Sequence, residues 1–208
     1  TPLPLITAST ITLRNSSPHF SDRNKEEILH YTTNSCDRLN SLLDKFLTVS
    51  SLRDGRLAVA LAPCSVEAVF HEVCSSFPEE TRARIGVILR GNGMEAVADP
   101  YCLSLILKNL LDNARRFSDD HSPITLSAEE KEGVIEIAVR DEGGGSDPAL
   151  TEVIFKPFTR LEELDKHREG TGLGLYIVQL AADLIGTRVW VDSRAGEGAT
   201  FRFNLPRA

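Results

Sequence analysis

The chain has 208 residues, 41% of them hydrophobic, enough for one cored domain with an appended element. Its formal net charge is −7, which excludes broad attraction to a nucleic-acid backbone, so no nucleic-acid partner is expected. Cys36, Cys64, Cys74 and Cys102 are scattered with no C-x-x-C pair, a pattern of free thiols in a reducing, cytoplasmic compartment rather than of zinc or disulfides.

No apolar run reaches the roughly 18 residues of a membrane span, and no signal-peptide pattern opens the chain. It starts at Thr1 without Met and reads as a fragment, which leaves open an upstream segment that anchors the parent in the inner membrane. Thr1 to Arg14 reads as the tail of a helix, with Leu3, Ile6 and Leu13 on one side, broken by Asn15-Ser16-Ser17-Pro18. From Asp22 to Leu52 a second helix, about 45 Å long, carries Leu39, Leu42, Leu43, Phe46 and Leu47 at i, i+3, i+4, i+7 and i+8. A hairpin of these two helices cannot bury that stripe alone. A homodimer through residues 1–52, two hairpins making a four-helix bundle, would bury it; folding back onto the rest of its own chain is the competing arrangement. Asp54-Gly55 closes the helix as a C-cap turn, and the domain boundary is placed there, 1–55 against 56–208.

Leu57 to Leu61 alternates weakly up to Pro63 and predicts a short strand. Ser65 caps a helix carrying Val66, Val69, Phe70 and Val73 that ends near Pro78. Ile85 to Leu89 predicts a strand, and Gly91-Asn92-Gly93 turns the chain into Ala96-Val97-Ala98. Asp99-Pro100 is an N-cap followed by Pro at the first helical position, and the helix runs from Tyr101 to Phe117. Leu103, Ile106, Leu107, Leu110, Leu111 and Ala114 form its core stripe, while Asn109, Asn113 and Arg116 lie at i, i+4 and i+7 on another face. Two helix asparagines can be solvated surface; beside an arginine they equally suit a magnesium ion, which takes oxygen ligands, and a phosphate.

Ile124–Ala128 and Val134–Val139 predict strands joined by a charged turn. The second runs into an acidic glycine turn, Asp141-Glu142-Gly143-Gly144-Gly145. Ile154-Phe155-Lys156-Pro157-Phe158 sets two aromatics around a proline, which could simply anchor a loop in the core. Thr159 to Glu169 is polar with few apolar anchors, and Gly170-Thr171-Gly172-Leu173-Gly174-Leu175 opens a helix carrying Ile177, Val178 and Ala181, ended by Gly186. Glycines at a helix start let backbone N–H groups approach phosphate oxygens, and an Asp at a strand end can accept from a base amino group. The segment Asp141–Leu175 therefore predicts a nucleotide site with a movable lid over 159–169. Arg188–Asp192 and Thr200–Asn204 form a last strand pair, turned by Ala195-Gly196-Glu197-Gly198.

Four of these stretches, in this order and spacing, resemble the sensor histidine kinases of two-component systems. Asn109-Leu110-Leu111-Asp112-Asn113-Ala114 resembles their N box, Asp141 to Gly145 the first glycine box, Phe155 to Phe158 the F box, and Gly170 to Leu175 the second glycine box. The resemblance covers Leu57 to Pro206 and extends more loosely to the helices of 1–52. It implies an α+β chain: a dimerising, phosphotransfer helical hairpin followed by an α/β sandwich ATP-binding domain with a mixed sheet, shared with gyrase, MutL and heat-shock chaperones. It implies ATP and Mg²⁺ as cofactors, with Asn109 as the metal ligand, Asn113 helping to hold metal and phosphates, and Arg116 near the phosphates. Asp141 would bind the adenine amino group, Gly143 and Gly145 would shape its pocket, Gly170, Gly172 and Gly174 would hinge the lid and face the phosphates, and Phe155, Phe158, Thr171 and Leu173 would belong to the same nucleotide site. Ser146 departs from the Ile that usually follows the first glycine box, a change of packing.

The family's acceptor pattern is His-Glu-x-x-Thr-Pro-Leu, and this chain opens on Thr1-Pro2-Leu3. The resemblance thus places the acceptor His upstream of Thr1 and gives Thr1 the role of orienting water for phosphatase action on the regulator. His19, His30, His71, His121 and His167 do not fit the acceptor context, so the chain is expected to bind nucleotide without phosphorylating itself. A response-regulator receiver domain is the implied partner. The ATP-hydrolysing members of the superfamily use a Glu ahead of the N-box Asn; here Leu105 and Lys108 stand there. A non-catalytic module that sequesters a partner kinase is the other reading.

Overall fold

The structure, a computed structural model, describes residues 2–14, 21–55, 57–91, 93–147, 150–151, 153–159 and 171–208. It comprises two compact units, Thr1–Thr48 and Val49–Ala208. The first is built from the helical hairpin α1 (Pro2–Arg14) and α2 (Asp22–Arg53), the latter running on into the second unit. Both helices are rich in Thr and Ser, residues with poor helix propensity. Their hydroxyls return to carbonyls four residues back: Thr7 to Leu3, Thr10 to Ile6, Thr32 to Ile28 and Ser35 to Tyr31. On α2, Leu39 and Leu42 are half-buried, whereas Leu43, Phe46 and Leu47 are 52%, 61% and 60% exposed. The break expected at 15–18 lies outside the described residues, as does Thr1.

The second unit is an α/β sandwich. Its elements are β1 (Ala62–Ser65), α3 (Val66–Ser75), α4 (Glu79–Arg82), β2 (Ile85–Arg90), β3 (Glu95–Ala98), α5 (Pro100–Phe117), β4 (Ile124–Lys131), β5 (Val134–Asp141), α6 (Gly174–Leu184), β6 (Trp190–Ser193) and β7 (Ala199–Pro206). The main sheet has the order β2-β4-β5-β7-β6 and is mixed: β2 runs parallel to β4 and the other neighbours are antiparallel. A parallel pair needs a crossover, and the chain from β2 to β4 carries β3 and α5.

One sheet face is apolar by alternation. Ile124, Leu126 and Ala128 on β4, Ile135, Ile137 and Val139 on β5, and Phe201, Phe203 and Leu205 on β7 are buried against Phe70 of α3, Leu103, Ile106, Leu107 and Leu110 of α5, and Val178 and Ala181 of α6. The opposite face carries ion pairs beside Ile88, Ala138 and Trp190. There Lys131 meets Glu136 at 2.7 Å and Arg202 meets Asp192 at 3.1 Å.

Three expectations change. Leu57–Leu61 is not a strand; β1 starts at Ala62 and includes Pro63, which pairs with Val97 in a two-stranded ribbon with β3, a setting where a missing N–H is tolerated. The Ala60 N–H donates instead to Asp99 Oδ2 at 2.9 Å, while Leu57 and Val59 pack on the core. The four-residue α4 carries no periodic signal and was not expected. The last hairpin starts at Trp190 rather than Arg188.

Candidate functional site

Helix α5 is the spine of the site. Asp99 caps it, its Oδ1 accepting from Cys102 N at 3.0 Å, and Pro100 stands at the first turn. Its apolar stripe is fully buried, so the rotation of the helix is fixed and Asn109, Asn113 and Arg116 lie half-buried on another face. Asn109 Nδ2 donates to Leu105 O at 2.8 Å. Its Oδ1 lies 3.4 Å from where a Cβ on Gly174 would stand, and Gly174 is the first residue of α6. The Arg116 guanidinium is 5.9 Å from the centre of the Phe117 ring.

At the other end, the period of two along β5 puts Asp141 on the same face as Ile135, Ile137 and Val139. A carboxylate is thereby carried to the edge of the apolar layer, 3% exposed, and burying it requires hydrogen bonds. Gly143 N donates one to Oδ1 at 2.9 Å. Gly143 has no room for a side chain, because a Cβ there would collide with the carbonyl of Phe117, the last residue of α5. The acidic turn thus abuts the C-terminal end of α5, and the second glycine run abuts it at Asn109.

The second glycine run is held from the side of the F box. Phe158 N donates to Gly172 O at 2.9 Å, and Gly172, at φ +68°, has the Phe158 backbone 2.8 Å from its Cβ position. Thr171 Oγ1 accepts from Leu173 N at 3.2 Å, and the buried Leu173 leads into α6. The two phenylalanines part company. Phe158 is 68% exposed at φ +61°, while Phe155 packs edge-on to Phe201 at 6.4 Å. Phe155 also lines a cavity of about 360 Å³ whose walls include Arg188 and Trp190 but neither Asn109 nor Asp141. The structure therefore sets Gly174 beside Asn109 and Gly143 beside Asp141 and the end of α5. Gly170 and the lid segment 160–169 lie outside the described residues.

Sequence reasoning missed the contribution of the β6–β7 turn. Gly196 N donates to Gly144 O at 2.7 Å, Ser146 N donates to Ser193 Oγ at 2.9 Å, and a Cβ on Gly145 would collide with the Arg194 carbonyl. It also missed Arg84, which donates to Ser118 Oγ at 2.6 Å and Ser122 O at 2.9 Å and clamps the chain just beyond α5. Local patterns do not carry these pairings.

The residues fit a nucleotide. The glycines let the backbone pack closely at two points of α5: the buried Asp141 carboxylate marks the Phe117 end, Gly174 lies at Asn109, and Asn113 and Arg116 lie along the helix from Asn109 toward Phe117. Among the described residues no group of three or more His, Cys, Asp or Glu gathers as a metal site.

The family model described as histidine kinase-, DNA gyrase B-, and HSP90-like ATPase matches residues 98–208. The chain is similar to the histidine protein kinase DivJ of Caulobacter vibrioides, 36% identical over 58% of this chain and 21% of that protein. It is similar in structure to full-length ShkA crystallised with AMPPNP, at a TM-score of 0.73 and 25% identity, covering 100% of this chain and 46% of that one. Histidine kinase ThkA, crystallised with the response regulator protein TrrA, shares the fold at a TM-score of 0.75 and 21% identity, covering 100% of this chain and 58% of that one. The chain spans 24% of the length of each of the first two curated relatives it matches.

Proposed function

The chain belongs to the histidine kinase-, DNA gyrase B-, and HSP90-like ATPases and carries the catalytic domain of a sensor histidine kinase behind a helical region, and from that premise we propose that residues 56–208 bind ATP with Mg²⁺ and deliver the γ-phosphoryl group to a histidine imidazole. The observation that carries this reading is the bracketing of α5 by the two glycine turns. From Asn109 to Phe117 the helix rises about 12 Å. That span suits an extended nucleoside triphosphate, with its base at Asp141 and its phosphates at Gly174.

Each residue then has one task. The Asp141 carboxylate accepts from the adenine amino group, and Gly143 and Gly145 shape the pocket by letting the turn pack against the Phe117 and Arg194 carbonyls. Asn109 and Asn113 would hold the metal by their amide oxygens, the long side chain of Arg116 would reach back along α5 toward the phosphates, and the backbone of Gly170, Thr171, Gly172, Leu173 and Gly174 would face them. Phe158 holds the second glycine run through Gly172, while Phe155 packs on Phe201. Mg²⁺, when bound, neutralises charge on the phosphate oxygens.

A neutral imidazole is nucleophilic near pH 7, so the protein has little proton chemistry to perform. It positions the nucleotide while the new N–P bond forms and the bond from phosphorus to the ADP oxygen breaks. The acceptor is a histidine of the helical region of such a kinase. From it the phosphoryl group passes to an aspartate of a receiver domain, and Thr1 orients water when that phosphate is removed. A receiver domain like that crystallised with ThkA is the partner this reading names, and the AMPPNP bound to ShkA supports the nucleotide.

Titration calorimetry tests the core of the proposal. One ATP per chain is expected, bound more tightly with Mg²⁺ than without, and with radiolabelled ATP no label is expected on the chain itself. Failure to bind ATP in either condition overturns the reading.

A further inference from the structure

The acidic turn is held at its start by the Gly143 N–H on Asp141 Oδ1. Residues 142–146 lie beyond the end of β5 and belong to no helix or strand. Beyond Gly143 their hydrogen bonds to the β6–β7 turn fix them, and Ser146 and Ser193 are 47 residues apart in sequence. Ser193, the last residue of β6, is half-buried and uses its hydroxyl twice: it accepts from Ser146 N and donates to Gly198 O, both at 2.9 Å. Gly198, at φ +79°, sits so close to the Asp141 carbonyl that any Cβ would collide with it. Gly196 N adds a hydrogen bond to Gly144 O at 2.7 Å. In the sheet, Ala199 is the register partner of both Ser193 and Asp141.

One hydroxyl therefore ties the far end of the acidic turn to the peptide that backs Asp141. We propose that Ser193 is a positioning residue for the base end of the nucleotide site, and that the turn 193–198 sets the preference for an adenine base by holding Asp141 and Gly143–Ser146 in register. The inference rests on the ATP reading above. Recognition by hydrogen bonds is sensitive to small displacements, because a donor and acceptor that separate lose most of their attraction while both stay desolvated. Ser193 is absent from the apolar core cluster, and its backbone stays in the β6–β7 ladder whatever its side chain. Removing the hydroxyl therefore loosens the turn and leaves the sandwich intact.

The experiment compares the wild-type chain with Ser193→Ala and Ser193→Thr in titrations of ATP, GTP and inorganic tripolyphosphate with Mg²⁺. Loss of two hydrogen bonds is expected to weaken ATP binding about tenfold. The ratio of ATP to GTP affinity should fall with it, tripolyphosphate affinity should stay at the wild-type value, and Thr should restore ATP binding. Unchanged ATP affinity in Ser193→Ala overturns the proposal. So does an equal loss for ATP and tripolyphosphate, the mark of a general loosening of the fold. A wild type that binds no ATP overturns the nucleotide reading itself, a different failure. Should the alanine variant not fold, Ser193→Cys, close in volume and weak in hydrogen bonding, gives the same comparison.

Discussion

Asp141 meets two demands at the scale of a single residue. Alternation along β5 turns it inward, and burial then requires donors for its carboxylate. Gly143 N is one donor, and the adenine amino group adds another in the proposed complex. Asp141→Asn is expected to weaken ATP binding by about 1.5–3 kcal/mol, the range for hydrogen bonds to charged groups. A fluorescent ATP analogue measures it, and an unchanged dissociation constant removes the base contact. Asn109→Ala should abolish the tightening of ATP binding by Mg²⁺ while leaving metal-free ADP binding less affected; a surviving magnesium dependence would reduce Asn109 to a surface amide. Cys102 sets a pH dependence instead. Burial, and then Asp99 beside it, push its thiol from 9.0 up to about 11. Below pH 9 the thiol is protonated folded and unfolded alike, so it contributes no slope. As pH rises from 9 through about 11 the unfolded chain loses the proton first, and stability falls. Scanning calorimetry across that window should show a falling melting temperature, with a smaller slope in Cys102→Ala.

At the scale of elements, what was legible follows from what is local. Helix α5 announces itself because its cap, its proline and its apolar period all lie within its own residues. Asp141 and the glycines were legible for the same reason, as a strand end and a helix start. The segment 57–61 was misjudged because the partner that takes the Ala60 amide is a carboxylate 39 residues away. Ser193 escaped notice because its partners belong to two different turns. Asp99 shows how much one side chain can join: Oδ1 caps α5 and Oδ2 holds the strand entry. Asp99→Ala should cost about 2–4 kcal/mol, a cap plus a hydrogen bond to a charged group. Asp99→Asn keeps an acceptor for the cap and turns a donor toward the Ala60 amide, so its loss should be roughly half as large. Urea denaturation separates the two, and equal losses would mean that the link to Ala60 contributes nothing.

At the scale of the molecule, the apolar stripe of α2 asks for a cover. Leu43, Phe46 and Leu47 remain more than half exposed in the single chain. Burying a large apolar side chain contributes about 1.5–3 kcal/mol, so three of them on one helix favour association. Two helical hairpins can meet along such stripes as a four-helix bundle, with the same surface used on both copies. We therefore expect a homodimer through residues 1–52, against the alternative in which the hairpin covers its stripe with the rest of its own chain. Light scattering over a range of concentrations should give a dimer for the wild type. Leu42→Glu, which sets a charge on that stripe, should yield a monomer that still binds ATP, because Asn109, Asp141 and the glycine turns belong to the other compact unit. A wild type that stays monomeric at every concentration removes the dimer. A variant that loses ATP binding along with the dimer would show instead that the nucleotide unit depends on the helical one for its fold.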